Sequence, residues 1–183
     1  MKHVAIIYAS SQGSTAEVAR YFNSIFKTHR VAGRLYSVEQ ALDGGIPQAD
    51  AYILGSPIHG GRILPNMVRF IEHNRHHLNR APLYFWINCL RIQEPTFHRS
   101  LSAHYRAYNP SLQALNIRSL EVFAGKLNLA HMSPQTRWGM TLQYDGKTDV
   151  TALDGDHRNW DLMGRWMTQI VSDLYYYEGL TVR

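Results

Sequence analysis

The chain has 183 residues, 45% of them hydrophobic and 18% charged, with 19 lysines and arginines against 14 acids. That length suits one domain, 1–183, with room for a sizeable core; 13 glycines and 7 prolines exclude a collagen-like or wholly disordered chain, and the single cysteine, Cys89, excludes an internal disulfide and a cysteine-based zinc site. No apolar run approaches the roughly 20 residues of a membrane span, and the stretch at 4–9 falls short of the ~7–15 apolar residues of a signal-peptide core, so the expectation is a soluble, cytoplasmic protein.

In chain order, the segment at 3–9 (HVAIIYA) is nearly continuous in apolar residues and reads as a strand buried on both faces. Val18, Ala19, Phe22, Ile25 and Phe26 then share one face of a helix. A weaker, alternating run at 31–38 suits a sheet edge, and the following crossover, 39–50, is short and glycine-rich, so no helix is assigned there. The run at 51–58 (AYILGSPI) is a third strand. After it, Leu64, Met67, Val68, Ile71 and Leu78 form a helical stripe with Pro65 in the first turn. The run at 82–90 (PLYFWINCL) is a fourth strand, and Phe97, Leu101, Tyr105 and Tyr108 form a stripe that Pro110 must end or kink. Residues 119–132 hold a last strand that continues into something else. Trp160, Met163, Met167, Ile170, Val171 and Leu174 line a final helix, with Asp156 its expected N-cap.

Strand and helix in alternation imply right-handed βαβ crossovers: an α/β three-layer sandwich around a five-stranded parallel sheet. The expected strand order is 2-1-3-4-5, with an insertion at about 130–156 near the last strand. Its switch point lies between the first and third strands, where ligands bind beyond the carboxyl ends. The loops at 10–15, 57–62 and 88–93 therefore surround one crevice.

The first of these loops, Ser10-Ser11-Gln12-Gly13-Ser14-Thr15, brings hydroxyls and a flexible glycine to a helix N-terminus, which suits a terminal phosphate. It has no Gly-Lys-Ser/Thr ending and a single glycine, so neither a nucleotide-triphosphate loop nor the dinucleotide fingerprint fits. The strand ends Ala9-Ser10 and Gly55-Ser56 lack the acids of a phosphoacceptor site.

This loop after HVAIIYA, with Gly55-Ser56-Pro57-Ile58-His59-Gly60 after the third strand, resembles the flavodoxin family. The resemblance implies FMN as cofactor. It gives the phosphate to Ser10, Ser11, Gln12, Gly13, Ser14 and Thr15, and the flavin ring to Pro57, Ile58, His59, Gly60, Asn88, Cys89, Leu90 and Arg91. Within the family the chain is most similar to the menaquinone-dependent protoporphyrinogen IX dehydrogenases, on Phe123-Ala124-Gly125, the insertion and Trp160-Asp161. That likeness implies an enzyme oxidising a porphyrinogen in two-electron steps, with a quinone-type acceptor and contact with the inner membrane face. The alternative is a flavodoxin-type electron carrier without its own substrate.

Two departures bear on that choice. The ring loops contain no Phe, Tyr or Trp, which leaves a flavin face open to a substrate, and His59, Arg62 and Arg91 favour an anionic reduced flavin. Seven arginines against two acids between His59 and Arg106 hold the whole formal charge of +5; the partner expected is an anionic small molecule, not nucleic acid, unless those arginines form only a solvated face. Arg62, Arg91 and Trp138 are the substrate-binding candidates, and no side chain is assigned a catalytic role beyond the flavin. The insertion carries a net −2, against membrane contact. His73, His76 and His77 have metal-compatible spacing without an accompanying carboxylate, so no metal is assigned. Tyr175-Tyr176-Tyr177 would pack on the sheet or form a homodimer contact.

Overall fold

A computed structural model describes residues 1–90, 98–143 and 150–176. The elements run β1 (His3–Tyr8), α1 (Ser14–Thr28), β2 (Ala32–Ser37), α2 (Val38–Asp43), β3 (Ala51–His59), β4 (Arg62–Ile63), α3 (Pro65–Leu78) and β5 (Leu83–Cys89). They continue with α4 (His98–Tyr108), α5 (Pro110–Gln113), β6 (Ile117–Ala124), β7 (Lys126–Leu127), α6 (Pro134–Gln143), β8 (Gly155–Asp156) and α7 (Trp160–Tyr176). The main sheet is parallel in the order β2-β1-β3-β5-β6, while β4 folds back antiparallel on β3. With β4 set aside, this is the expected 2-1-3-4-5 arrangement.

Both faces of the sheet are covered, and for that reason its central strands β1, β3 and β5 are nearly continuous in buried residues, without alternation. Ile6, Ile53 and Trp86 face α1 and α7, where they meet Phe22, Met163 and Trp166. Ile7, Leu54 and Phe85 point the other way, into the cluster holding Phe70, Leu101 and Leu112. Gly55, opposite Trp86 in the β3–β5 register, is required by packing: a Cβ there would stand 2.1 Å from the indole ring.

Several local details depart from expectation. The glycine-rich crossover does carry a helix, α2, because Ser37 and Gln40 form a capping box: the Gln40 N–H donates to Ser37 Oγ at 3.2 Å and the Ser37 N–H to Gln40 Oε1 at 2.8 Å. Asn159, not Asp156, caps α7, accepting the Leu162 N–H at 2.9 Å, while Asp156 is engaged by Arg158. Pro110 ends the α4 stripe by opening α5 at its first turn, and Tyr108 is exposed although Leu101 and Tyr105 are buried. Phe97 and Tyr177 lie outside the described residues. The Tyr175 hydroxyl donates to the His29 carbonyl at 2.9 Å, tying the end of α7 to the end of α1. Among the described residues no helix is long and apolar enough to cross a membrane.

Candidate cofactor site

Beyond the carboxyl ends of β1, β3 and β5 lies a cleft of about 380 Å³, within the range of small-molecule sites. The loop after β1 contributes Ser11, Gln12, Ser14 and Thr15; the end of β3 contributes Pro57, Ile58, His59 and Gly60; the end of β5 contributes Asn88 and Leu90. A fourth wall comes from the chain after β6, through Gly125, Lys126, Leu127, Met132, Thr136 and Gly139.

At the first loop, Gly13 caps α1 in the left-handed conformation, with φ 87°, and offers no side-chain cap to the helix. The Ser10 hydroxyl accepts the Gly13 N–H at 3.0 Å, so Ser10 shapes the loop from behind. The N–H groups of the first helical turn have no partner within the helix and carry its positive dipole end. Thr15 is 1% exposed, yet its Oγ1, beside the cleft, is buried without a hydrogen-bond partner among the described residues. A buried unsatisfied hydroxyl costs on the order of 1–3 kcal/mol. A ligand's phosphate oxygen at the helix N-terminus would accept from it, and the donor set there (hydroxyls and backbone N–H groups) is the chemistry a phosphate monoester requires. The loop fits the phosphate of FMN.

The second loop is a two-residue hairpin. Gly60 and Gly61 both have positive φ, 60° and 76°, the pairing that a tight hairpin turn demands. Asn109, at the junction of α4 and α5, holds this turn: its Oδ1 accepts the Ile63 N–H at 3.0 Å and its Nδ2 donates to the Tyr105 and Gly61 carbonyls. Ser56 Oγ accepts the Leu64 N–H at 3.0 Å and so braces the other side. His59 stands at the cleft with Nε2 3.5 Å from Ser11 Oγ, linking the first two loops. Desolvation by the surrounding protein pushes its pKa below the ordinary 6.5, which favours the neutral ring.

At the third loop, Asn88 Oδ1 accepts the Trp86 indole N–H at 3.1 Å and its Nδ2 donates to the Ala124 carbonyl, which locks the ends of β5 and β6 together. Cys89 does not line the cleft; it is buried with Sγ 3.0 Å from the Tyr105 hydroxyl. Arg91, with Ile92 and Gln93, lies outside the described residues.

The substrate candidates fall at the margins. Arg62 is exposed, paired with His59 across the hairpin but outside the cleft's lining. Arg69, Arg75 and Arg80 are also outside the lining, and Arg106 donates to the Leu115 carbonyl at 3.0 Å. Trp138 is 68% exposed. Helical geometry explains its placement: Thr136 and Gly139, three apart on α6, share the face that lines the cleft, and Trp138 is turned away from it. Among the described residues, no Phe, Tyr or Trp lines the cleft. His77 is engaged with the Tyr52 hydroxyl at 2.7 Å and His73 with the Arg69 carbonyl, and no metal-sized group of His, Cys, Asp or Glu occurs among the described residues.

Sequence reasoning missed the fourth wall and the charges behind it. Arg158, its side chain 2% exposed, donates to Glu17 Oε2 at 2.7 Å, to both Asp156 oxygens and to the Ser14 carbonyl at 3.2 Å, with its guanidinium 4.5 Å over the Trp160 ring. Its hydrogen bonds hold the Glu17 and Asp156 carboxyls below their usual range. Burial disfavours the charge on Arg158 itself, but its bonds to Asp156 and Glu17 outweigh that and raise its pKa. The signal available was position: Gly125-Lys126 follows the last strand of the sheet, at the same end where the other strands open into the crevice.

A family model described as a flavodoxin domain matches residues 5–153. No curated protein matches the chain. Among solved structures, a flavodoxin from the domain Archaea is 12% identical with a TM-score of 0.53, covering 94% of this chain and 99% of that one. A cysteine-to-serine mutant of the flavodoxin from Pseudomonas aeruginosa is 12% identical with a TM-score of 0.52, again covering 94% of this chain and 99% of that one. A short-chain flavodoxin associated with a non-canonical PDU bacterial microcompartment is 13% identical, TM-score 0.51, covering 67% of this chain and 84% of that one. At such identities the likeness is one of fold.

Proposed function

The chain belongs to the flavodoxin-domain family and its cofactor is FMN, and from that premise we propose that it is an FMN-dependent oxidoreductase working in two-electron steps on an anionic substrate. The observation that carries this reading is the cleft's lining, which holds no Phe, Tyr or Trp among the described residues. A protein that only ferries single electrons gains from enclosing its flavin between such rings; an enzyme needs an uncovered face on which a substrate can stack.

FMN, when bound, supplies the two-electron chemistry, with N5 as the accepting atom. The chain's own residues bind, orient and shield. The first turn of α1 and the Thr15 hydroxyl would hold the phosphate. Asn88 fixes the ends of β5 and β6 at the cleft, and Thr136 and Gly139 of α6 line its fourth wall. His59 offers a hydrogen-bonding edge, its neutral ring favoured by desolvation. In the net reaction the substrate gives up two electrons and two protons, and a quinone-type acceptor takes them to become a quinol. Arg62, exposed at the hairpin next to the cleft, would meet substrate carboxylates. The finer reading, protoporphyrinogen IX as the substrate, is supported only by the sequence resemblance at 123–125 and at Trp160-Asp161.

The test is anaerobic turnover of a carboxylated porphyrinogen with a quinone by the FMN-loaded protein, measured against free FMN. Turnover above free FMN, with apparent affinity weakened several-fold in Arg62→Gln, is the expected result. Turnover equal to that of free FMN would set the enzyme aside in favour of an electron carrier.

A further inference from the structure

Four charged side chains meet where β7 and β8 pass the first turn of α1, and they are unequally committed. Lys126 and Asp156 are register partners in the β7–β8 pair. Arg158 is almost wholly enclosed and already serves both acids, reaching Glu17 Oε2 at 2.7 Å and Asp156 Oδ1 at 2.7 Å. The Lys126 ammonium is 3.6 Å from the other Glu17 oxygen, and both side chains are well exposed, at 36% and 41%. An ion pair that long and that exposed contributes little. Because Glu17 keeps Arg158, releasing Lys126 leaves no acid unpaired.

Lys126 is also the charged side chain that lines the cleft among the described residues. Its ammonium lies beside the first turn of α1, the end of the cleft where Gly13 leaves the helix N-terminus open and the Thr15 hydroxyl has no partner among the described residues. Hydroxyls and backbone N–H groups can hold a phosphate, but they carry no full charge to set against a dianion. Glu17, in that same turn, adds a negative charge nearby that Arg158 neutralises.

Resting on the reading of the cleft as an FMN site, we propose that Lys126 is a specificity-determining ligand of the cofactor's phosphate. It leaves Glu17 on binding and makes the site select the phosphorylated flavin over riboflavin. Glu17 and Arg158 are its positioning residues: the pair keeps the ammonium at the phosphate end while the cleft is open.

The experiment titrates flavin-free protein with FMN and with riboflavin, following flavin fluorescence at low and at physiological salt, for wild type, Lys126→Gln and Lys126→Arg. Lys126→Gln should raise the FMN Kd about tenfold, the loss of one charge-assisted hydrogen bond, and leave the riboflavin Kd unchanged. Its FMN affinity should also depend less steeply on salt, and Lys126→Arg should retain most of the wild-type preference. Unchanged riboflavin binding serves as the check that the variant is folded. An unchanged FMN Kd, or equal loss for both flavins, would overturn the role of Lys126 while leaving the FMN site standing. A wild-type protein that binds neither flavin would overturn the site itself and this inference with it.

Discussion

The sheet and the segment that follows β6 are built on different scales. Between β1 and β6 the strands are sealed by two large apolar clusters, one on each face, with Trp86, Tyr52, Phe22, Phe26 and Phe70 fully enclosed. From β7 to β8 the chain has a small cluster of its own, Leu127, Leu129 and Leu153, with Leu90 and Met132 packed against it. Polar bonds hold much of the rest: Arg158 to Glu17 and Asp156, Asp154 Oδ1 accepting the Leu129 N–H at 2.8 Å, and Arg137 to the Leu129 carbonyl. The sheet supplies rigidity and the insertion supplies a wall. The cleft is made where the two meet, so one side of it is set by packing and the other by charge.

The sheet half should fail most severely with Gly55→Ala. With the indole of Trp86 2.1 Å from the new Cβ and both strands buried, no flexible neighbour can yield. A loss of about 3 kcal/mol is expected, at the upper end for overpacking, read from urea unfolding.

On the insertion side, Arg158→Gln should cost about 1–2 kcal/mol at pH 7, discounted because both partner carboxylates are roughly 40% exposed. Glu17 and Asp156 have folded pKa values below their ordinary 4.5 and 3.8. The stability they contribute is therefore complete above those ordinary values and is lost as pH falls through the lowered ones. Thermal melts between pH 7 and pH 3 should show wild type losing this contribution below about pH 4.5 and the variant losing less, so the two curves converge in acid. Parallel curves would show that the network does not carry the charge linkage.

Thr15→Val separates fold from ligand at the shared edge. Replacing an unpartnered buried hydroxyl with a methyl should leave the flavin-free protein as stable or up to about 1 kcal/mol more stable. FMN binding should weaken by about tenfold, the loss of a charge-assisted bond to phosphate. Calorimetry of the flavin-free protein and a binding titration check the two halves. Smallest of all, Trp138→Ser should change stability by less than about 0.5 kcal/mol, since the ring stands in solvent.

How far these features were legible differs for the same reason. HVAIIYA and PLYFWINCL announce doubly covered strands because burial on both faces leaves no polar alternation, so the order of the sheet followed from crossover rules. The loop at 10–15 was legible not for its hydroxyls alone, which many strand-to-helix turns carry as caps, but because it falls at the switch point between the first and third strands, where such sheets bind ligands. Lys126 and Arg158 were not. Their roles depend on β7 pairing with β8 and on a side chain reaching from 158 to 17, which no local period records. Trp138 looked like a substrate contact by residue type, and only the helical phase of α6 shows which face it occupies. The arginines between His59 and Arg106 suggested an anion site by number, yet the described ones stand outside the cleft's lining, and Arg106 is spent on a carbonyl.

Two-electron chemistry is proposed on a cleft whose lining holds no Phe, Tyr or Trp among the described residues. Anaerobic stepwise reduction of the FMN-loaded protein, followed by its absorption spectrum, decides the matter. With no such ring lining the cleft among the described residues to favour the neutral one-electron-reduced flavin, the second electron should enter nearly as easily as the first. The spectrum should then pass from oxidised to fully reduced FMN with little of the blue one-electron form. An abundant, long-lived blue form would contradict two-electron chemistry and identify the protein as a carrier of single electrons.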